Sequence, residues 1–399
     1  MKRRTVLAGL GAMAASGARP AKATTVGVTK TEIKIGNTIP YSGNASSYGV
    51  IGKADAAYFK MINDQGGING RMINFITLDD GYIPAKTVEQ VRRLVEQDEV
   101  AILFNALGTA NNTAIHKYMN AKKVPHLFVS TGADKWGDPK NFPWTIGWQP
   151  SYRTEAQIYA KAIKESYAGK KCSLIYQNDD FGKDYLTGLK DSFGADFDKV
   201  FIKTVTYEAT DPTVDSQVVT LKDSGAEVVV TAAIPKFAAQ VIRKAYDIGW
   251  KPVHYMSNVS ASVGSTINPA GPEKAIGVIT SGYMKDPTDP EWANDPGMNE
   301  WRAFMKKYIP DGDPAEGSYV FGYGVSMTMV HVLKQCGDDF SRENIMKQVA
   351  NIKHLDVPIL LPGAYVSTTP DNFHPIRQMQ LQRWTGKTWE RFGKVIDAT

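Results

Sequence analysis

Short β-rich runs alternate with helical runs along this chain, and the alternation is played twice; no other feature of the sequence restricts the fold as much. Residues 33–39 read as a strand. Residues 51–63 follow as a helix with Ala54, Ala57, Tyr58 and Met61 on one face, and the cluster Gly66-Gly67-Ile68-Asn69-Gly70 stops it. Residues 72–78 form the next strand. Residues 84–97 form a helix with Pro84 in its first turn, where an absent N–H breaks no bond, and Val88, Val91, Leu94 and Val95 make its inner stripe. Two buried-type strands, 101–104 and 126–129, flank a helix over 111–121. This order brings successive strands parallel, with helices on both faces of the sheet.

The series restarts after a break. Residues 172–176, 201–207, 227–232 and 253–256 read as strands, with helices near 183–193, 214–224 and 236–248 between them. A strand-like run at 276–283 follows, then helices near 292–307, 318–334 and 342–349 and a β-rich tail. The 399 residues exceed what one hydrophobic core usually holds. The late helices have no complete sheet of their own, so they are expected to return to the first domain while the tail completes the second. The fold class is therefore α/β: two doubly wound parallel-sheet lobes, residues 31–147 with 282–355 and residues 148–281 with 356–399. Several crossings between the lobes leave a cleft, and ligands of open α/β sheets sit beyond the carboxyl ends of the strands. The loops just after each strand are where a site is expected.

The first 23 residues have a different character. Met1-Lys2-Arg3-Arg4 is a basic head, residues 5–17 are apolar and small, and Ala21-Lys22-Ala23 is an A-x-A cleavage signal. This is the plan of an export signal peptide over 1–23. The apolar run is shorter than the roughly 20 residues needed to span a bilayer, so the mature chain is expected to be periplasmic and not membrane-spanning. Arg3-Arg4 leaves the twin-arginine route open beside the general one. The formal charge of +5 belongs to this segment: setting aside its five bases leaves 41 basic against 41 acidic residues. A neutral mature chain argues against nucleic-acid binding, which depends on neutralising phosphates, and against a polybasic membrane-surface role.

The usual catalytic patterns are missing. There is no HExxH, no GxSxG, and the six histidines have no metal-ligand spacing. Gly386-Lys387-Thr388 lacks the first glycine of a phosphate loop, where Leu381 stands. Asp311-Gly312-Asp313 reads as a turn rather than a calcium loop. Asp179-Asp180 reads as a solvated pair, and the two cysteines, Cys172 and Cys336, as unpaired. No cofactor, metal or enzymatic activity is expected.

Three strand-end loops in the first half are small, hydroxyl-rich and glycine-bearing: 41–49, including Tyr48; 105–112, including Gly108 and Thr109; and 130–133, including Ser130, Thr131 and Gly132. Free N–H groups and hydroxyls ahead of a helix suit a carboxylate, although each such residue alone would also serve as a helix cap. The second half offers 176–182 with Phe181, 232–235 with Ile234, and 256–260 with Asn258. Tyr319 and Phe321 open a late helix, and Trp136, Trp144 and Trp148 gather near the first crossing, where they read as hinge packing.

The signal peptide, Lys34-Ile35-Gly36 ahead of Ser42-Gly43, the segment Ile62–Arg71 (INDQGGINGR) and the segment Tyr176–Tyr185 (YQNDDFGKDY) together resemble the type I periplasmic solute-binding proteins, in particular the leucine/isoleucine/valine-binding branch serving ABC importers. The resemblance runs from about residue 31 to the tail. It implies two lobes closing about a three-stranded hinge, a monomer, and a membrane permease of an ABC importer as partner. It implies a ligand carboxylate held at Gly108-Thr109 and Ser130-Thr131-Gly132, with aromatic contacts from Tyr48, Phe181 and Tyr319. One departure stands out. The amino-acid binders carry a glutamate for the ligand ammonium just after the strand matching 253–256, and here that loop, Met256-Ser257-Asn258-Val259-Ser260, has no acid. An ammonium buried without a carboxylate partner is costly. The expected ligand is therefore a small carboxylate with no obligatory ammonium, an aromatic or branched organic acid. A branched-chain amino acid in the same transport role, a ligand-sensing subunit and an exported enzyme remain the alternatives.

Overall fold

The computed structural model describes residues 25–397, so the signal segment 1–23 lies outside the described residues. The first lobe opens with β1 (Glu32–Ile39), α1 (Gly49–Asp64), β2 (Met72–Asp79), α2 (Pro84–Glu96), β3 (Ile102–Phe104), α3 (Thr109–Ala121), β4 (His126–Val129) and β5 (Thr145–Gly147). The strands form a parallel sheet in the order β2-β1-β3-β4-β5. Side-chain alternation shows in the three residues of β3. Ile102 and Phe104 join the large core with Tyr58 and Phe59 of α1, while Leu103 joins the cluster made with Val91 and Leu94 of α2 and Ile115 and Met119 of α3. A strand buried on both faces is the mark of a parallel sheet sandwiched by helices.

The second lobe contains α4 (Tyr152–Ser166), β6 (Cys172–Gln177), α5 (Asp180–Phe193), α6 (Phe197–Val200), β7 (Phe201–Tyr207), α7 (Asp215–Asp223), β8 (Val228–Ala232), α8 (Pro235–Asp247), β9 (Val253–Met256), α9 (Asn268–Ala270) and β10 (Ile279–Gly282). Its parallel part runs β7-β6-β8-β9-β10, the same winding as the first sheet. The chain then forms α10 (Pro296–Tyr308), α11 (Gly317–Gln335) and α12 (Arg342–Val349). Gly322 of α11 lies so close to α1 that a Cβ there would stand 2.6 Å from Ala54 Cβ. The tail adds β11 (Gln378–Trp384), antiparallel to β10, with β12 (Trp389–Arg391) and β13 (Ile396–Asp397) paired to it.

The chain crosses between the sheets three times, after β5, after β10 and after α12. Two crossings bond each other: Lys285 N donates to Ile359 O at 2.9 Å and Leu361 N to Tyr283 O at 2.9 Å. Trp148, in the other crossing, is fully buried edge-on to Phe321, and its Nε1 donates to Thr328 Oγ1 at 3.0 Å. Hinge packing thus holds for Trp148. Trp136 instead packs against the His116 ring below the Thr131 loop, and the half-buried Trp144 donates its N–H to Asn120 Oδ1 at 3.0 Å inside the first lobe. Both cysteines are buried and free, and burial pushes each thiol up to about 12. No helix among the described residues is long and apolar enough to cross a membrane.

Candidate functional site

A cleft with about 950 Å³ of empty space, partly open to solvent, lies where the carboxyl ends of the two sheets face each other. In each winding the strand order reverses between the first and third strands, and that switch point is where an open sheet offers a crevice. Of the ten residues expected from the sequence, eight line this cleft. Tyr48, Gly108, Thr109, Ser130 and Thr131 come from the first lobe, and Phe181, Ile234 and Asn258 from the second.

The first-lobe loops are held in donor geometry by the chain itself. Gly108 has φ 101°, and a Cβ there would stand 2.7 Å from the Tyr82 ring, so only glycine allows the turn into α3. No side chain caps α3, which leaves its first-turn amides to the cleft side. Thr109 Oγ1 and Thr131 Oγ1 lie 2.5 Å apart. Two hydroxyls sharing one bond spend one proton, and the second is left to donate elsewhere. Hydroxyl, helix-end amides and dipole together suit a carboxylate.

Gly132 and Tyr319 are not among the lining residues. Gly132 is a packing position: a Cβ would meet Pro150 O at 2.3 Å, and its carbonyl accepts from Tyr152 N at 2.8 Å. Tyr319 turns away because residues two apart on a helix point in nearly opposite directions. Phe321 supplies the aromatic wall from α11 instead, with Gly317 and Ser318 at the helix start. Asp179 and Asp180 are not a solvated pair either. Asp179 caps α5 by accepting from Phe181 N at 3.0 Å, and burial pushes its carboxyl up to about 6. Asp180 Oδ2 meets Lys135 Nζ of the first lobe at 2.5 Å.

Further lining residues lie outside the expected set: Tyr82 after β2, Gln149 and Tyr152 at the first crossing, and Asp286 at the second. Asp286 Oδ1 accepts from Thr288 N and Oγ1; burial, with Asp289 and Glu316 nearby, pushes its carboxyl up to about 6. Behind the cleft wall lies a residue that no motif marked. Glu155 of α4 is fully buried and accepts from five donors: Tyr159 Oη, Tyr185 Oη, Ser281 Oγ at 2.6 Å, Asn258 N at 2.9 Å and Asn258 Nδ2 at 2.5 Å. Burial raises its pKa, while these hydrogen bonds pull the other way.

The lobes also touch at the rim. Tyr48 Oη donates to Val259 O at 3.0 Å, Asn44 Nδ2 to Ala209 O at 2.8 Å, and Lys236 Nζ to Asn44 Oδ1 at 2.8 Å. Such contacts belong to a closed cleft.

A family model described as periplasmic binding protein matches residues 32–388. Leu/Ile/Val-binding protein homolog 7 of Brucella abortus (strain 2308) is 23% identical over 308 residues, 73% of this chain and 73% of that one. The solved structure of a branched chain amino acid ABC transporter from Thermus thermophilus with bound valine superposes with a TM-score of 0.82 at 15% identity, covering 93% of this chain and 98% of that one. A fatty acid ABC transporter substrate-binding protein from Thermomonospora curvata superposes with a TM-score of 0.76 at 20% identity, covering 94% of each. The two superpositions are likenesses of fold.

Proposed function

The chain belongs to the periplasmic binding protein family, and from that premise we propose that it captures a small organic carboxylate between its lobes and delivers it to the membrane permease of an ABC importer. The lobes are residues 31–147 with 282–355 and 148–281 with 356–399, and the protein acts as a monomer in the periplasm after removal of residues 1–23. Closure buries the ligand, and the closed form is the one the permease reads.

The observation that carries the ligand class is the asymmetry of polar groups in the cleft. Thr109, Thr131 and the uncapped start of α3 offer donors, while Tyr48, Phe181, Ile234 and Phe321 give an apolar and aromatic body. An aromatic or branched organic acid fits that division. No acid occupies the loop after β9, where Asn258 stands. A branched-chain amino acid is the second reading, favoured by the names of the relatives and by Asp286, an acid on the cleft wall that would face an ammonium.

A thermal-shift screen of the mature protein tests this. A ligand at a hundred times its dissociation constant stabilises by about 2.7 kcal/mol. Shifts with aromatic or branched acids and none with leucine, isoleucine or valine are expected. A shift with leucine and none with the acids refutes the first reading in favour of the second.

A further inference from the structure

Glu155 and Asn258 form a two-point clamp. The backbone N–H of Asn258 donates to one carboxyl oxygen of Glu155, and the side-chain NH₂ of Asn258 is turned toward the other. The bond from Nδ2 to Glu155 Oε2 is 2.5 Å, and the backbone N of the same residue holds Oε1 at 2.9 Å. Both ends of the Asn258 residue are thereby tied to one carboxylate. Asn258 Oδ1 accepts no hydrogen bond from any described residue, and Asn258 lines the cleft. The side-chain oxygen is the part left to face the ligand.

Glu155 itself has no capacity to spare. A carboxylate has about four acceptor positions, and five donors already converge on it. It therefore does not stand in for the missing glutamate by meeting an ammonium directly. It acts through Asn258, as a positioning residue.

Resting on the carboxylate reading above, we infer that Asn258 Oδ1, oriented by Glu155, selects ligands bearing an uncharged hydrogen-bond donor close to the carboxylate, the α-hydroxy acids being the class that fits. A hydroxyl donates one bond to a neutral amide oxygen and needs no counter-charge. An ammonium at the same place would give up hydration for an uncharged acceptor, a poor exchange. An α-oxo group would set two acceptor oxygens face to face with no proton between them.

The experiment is calorimetric titration of the mature protein with a branched acid, its α-hydroxy and α-oxo analogues, and the corresponding amino acid. The hydroxy acid is expected to bind about tenfold or more tightly than the unsubstituted and oxo acids, and more tightly than the amino acid. Equal binding of the hydroxy, oxo and unsubstituted acids, or tighter binding of the amino acid, overturns the inference and leaves the carboxylate reading standing. Failure of all four to bind overturns the inference, and failure of the aromatic acids as well in the thermal-shift screen overturns the carboxylate reading. Two variants test the clamp. Asn258→Ala is expected to lose the hydroxy-over-oxo preference, so that the affinities for the hydroxy, oxo and unsubstituted acids draw together. Glu155→Gln, whose amide no longer dictates how Asn258 turns, is expected to narrow the preference with little change for the unsubstituted acid. A full preference surviving in Asn258→Ala refutes the role of its oxygen even if Glu155→Gln fails to fold.

Discussion

The two lobes share a strand order and differ in what they do with the polar groups at their carboxyl ends. In the first lobe α3 starts uncapped and the Thr109 and Thr131 hydroxyls share a single bond, so donor capacity is left over. In the second lobe Asp179 plugs the start of α5, α8 begins with Pro235, which has no N–H, and Asn258 is tied to Glu155. One sheet end is left open to an anion, and at the other the chain satisfies its own donors. Winding thus decides where a cleft forms, and the unpaired donors and acceptors decide what chemistry it can hold.

The sharpest way to break this comparison is to remove the self-satisfaction of the second lobe. Glu155→Ala takes the shared acceptor from five donors, leaves Asn258 N and Nδ2 without one while Tyr159 Oη and Tyr185 Oη keep Met256 O and Ser257 Oγ, and opens a cavity, so an unfolding free energy lower by about 2–4 kcal/mol is expected in a denaturant titration. A loss below about 1 kcal/mol would mean that the network is not structural, and that Asn258 is held by other means.

Both lobes bury carboxyls that burial pushes upward, Asp55 and Asp80 in the first and Glu155 in the second. Asp55 of α1 has only two donors, Asn105 Nδ2 at 2.8 Å and Ser326 Oγ at 2.8 Å, and burial raises its carboxyl from 3.8 to about 8. A carboxyl whose folded pKa lies above its unfolded value holds its proton longer in the folded state. Its contribution is therefore full below pH 3.8 and is lost as pH rises through about 8. Asp55→Asn, which keeps a neutral hydrogen-bonding group, is expected to flatten the fall in melting temperature across that window. A wild-type curve already flat there would show Asp55 ionised.

Much of this was legible in the sequence. Alternation and turn residues gave both windings, because a parallel strand needs only a short apolar run and a glycine or polar break. Eight of the ten expected site residues follow from a single rule, that ligands sit at strand ends. Tyr82 obeys the same rule after β2, but its loop, Asp79-Asp80-Gly81-Tyr82, lacks the serines and threonines that mark the others. Tyr319 and Phe321 are two residues apart, and only the phase of α11 against α1 decides which faces the cleft. Glu155 was invisible for a different reason. Its helix α4 fills the gap between the two alternating series, and its partners Tyr185, Asn258 and Ser281 are distant in sequence. A single acid inside Arg153-Thr154-Glu155-Ala156 carries no local signal of burial. Ser151 capping Thr154 N, with Ala156, Tyr159 and Ile163 on one face, would have revealed the helix but not the acid's role.

On the first lobe the comparison predicts an effect on binding at both threonines and on stability only at Thr131. Thr109→Val and Thr131→Val each remove a hydroxyl of nearly unchanged shape. Each is expected to weaken carboxylate binding by about 1–3 kcal/mol in calorimetry; the melting temperature of the unliganded protein should move little in Thr109→Val and fall in Thr131→Val, which also takes the acceptor from Trp136 Nε1 and Ala133 N. Unchanged affinity in both variants would take these loops out of the site, and a large loss of stability in Thr109→Val would show that its hydroxyl is as structural as the Glu155 network.

The smallest effect belongs to the rim, where the two lobes meet as charges rather than as core. Lys135 Nζ and Asp180 Oδ2 are 2.5 Å apart with both side chains partly exposed, 29% and 45%. Solvent screening limits such a pair to about 0.2–1 kcal/mol. The pair joins residues of different lobes, so it stabilises the closed form and contributes to affinity only through the closing equilibrium. Lys135→Met is expected to lower affinity by no more than about fivefold, mainly through faster ligand release, and the difference from wild type should shrink as salt shortens the reach of the charges. Stopped-flow release at low and high salt reads this directly. A salt-independent loss would place Lys135 in packing against Trp136, whose ring its ammonium approaches at 5.1 Å, rather than in the closure of the lobes.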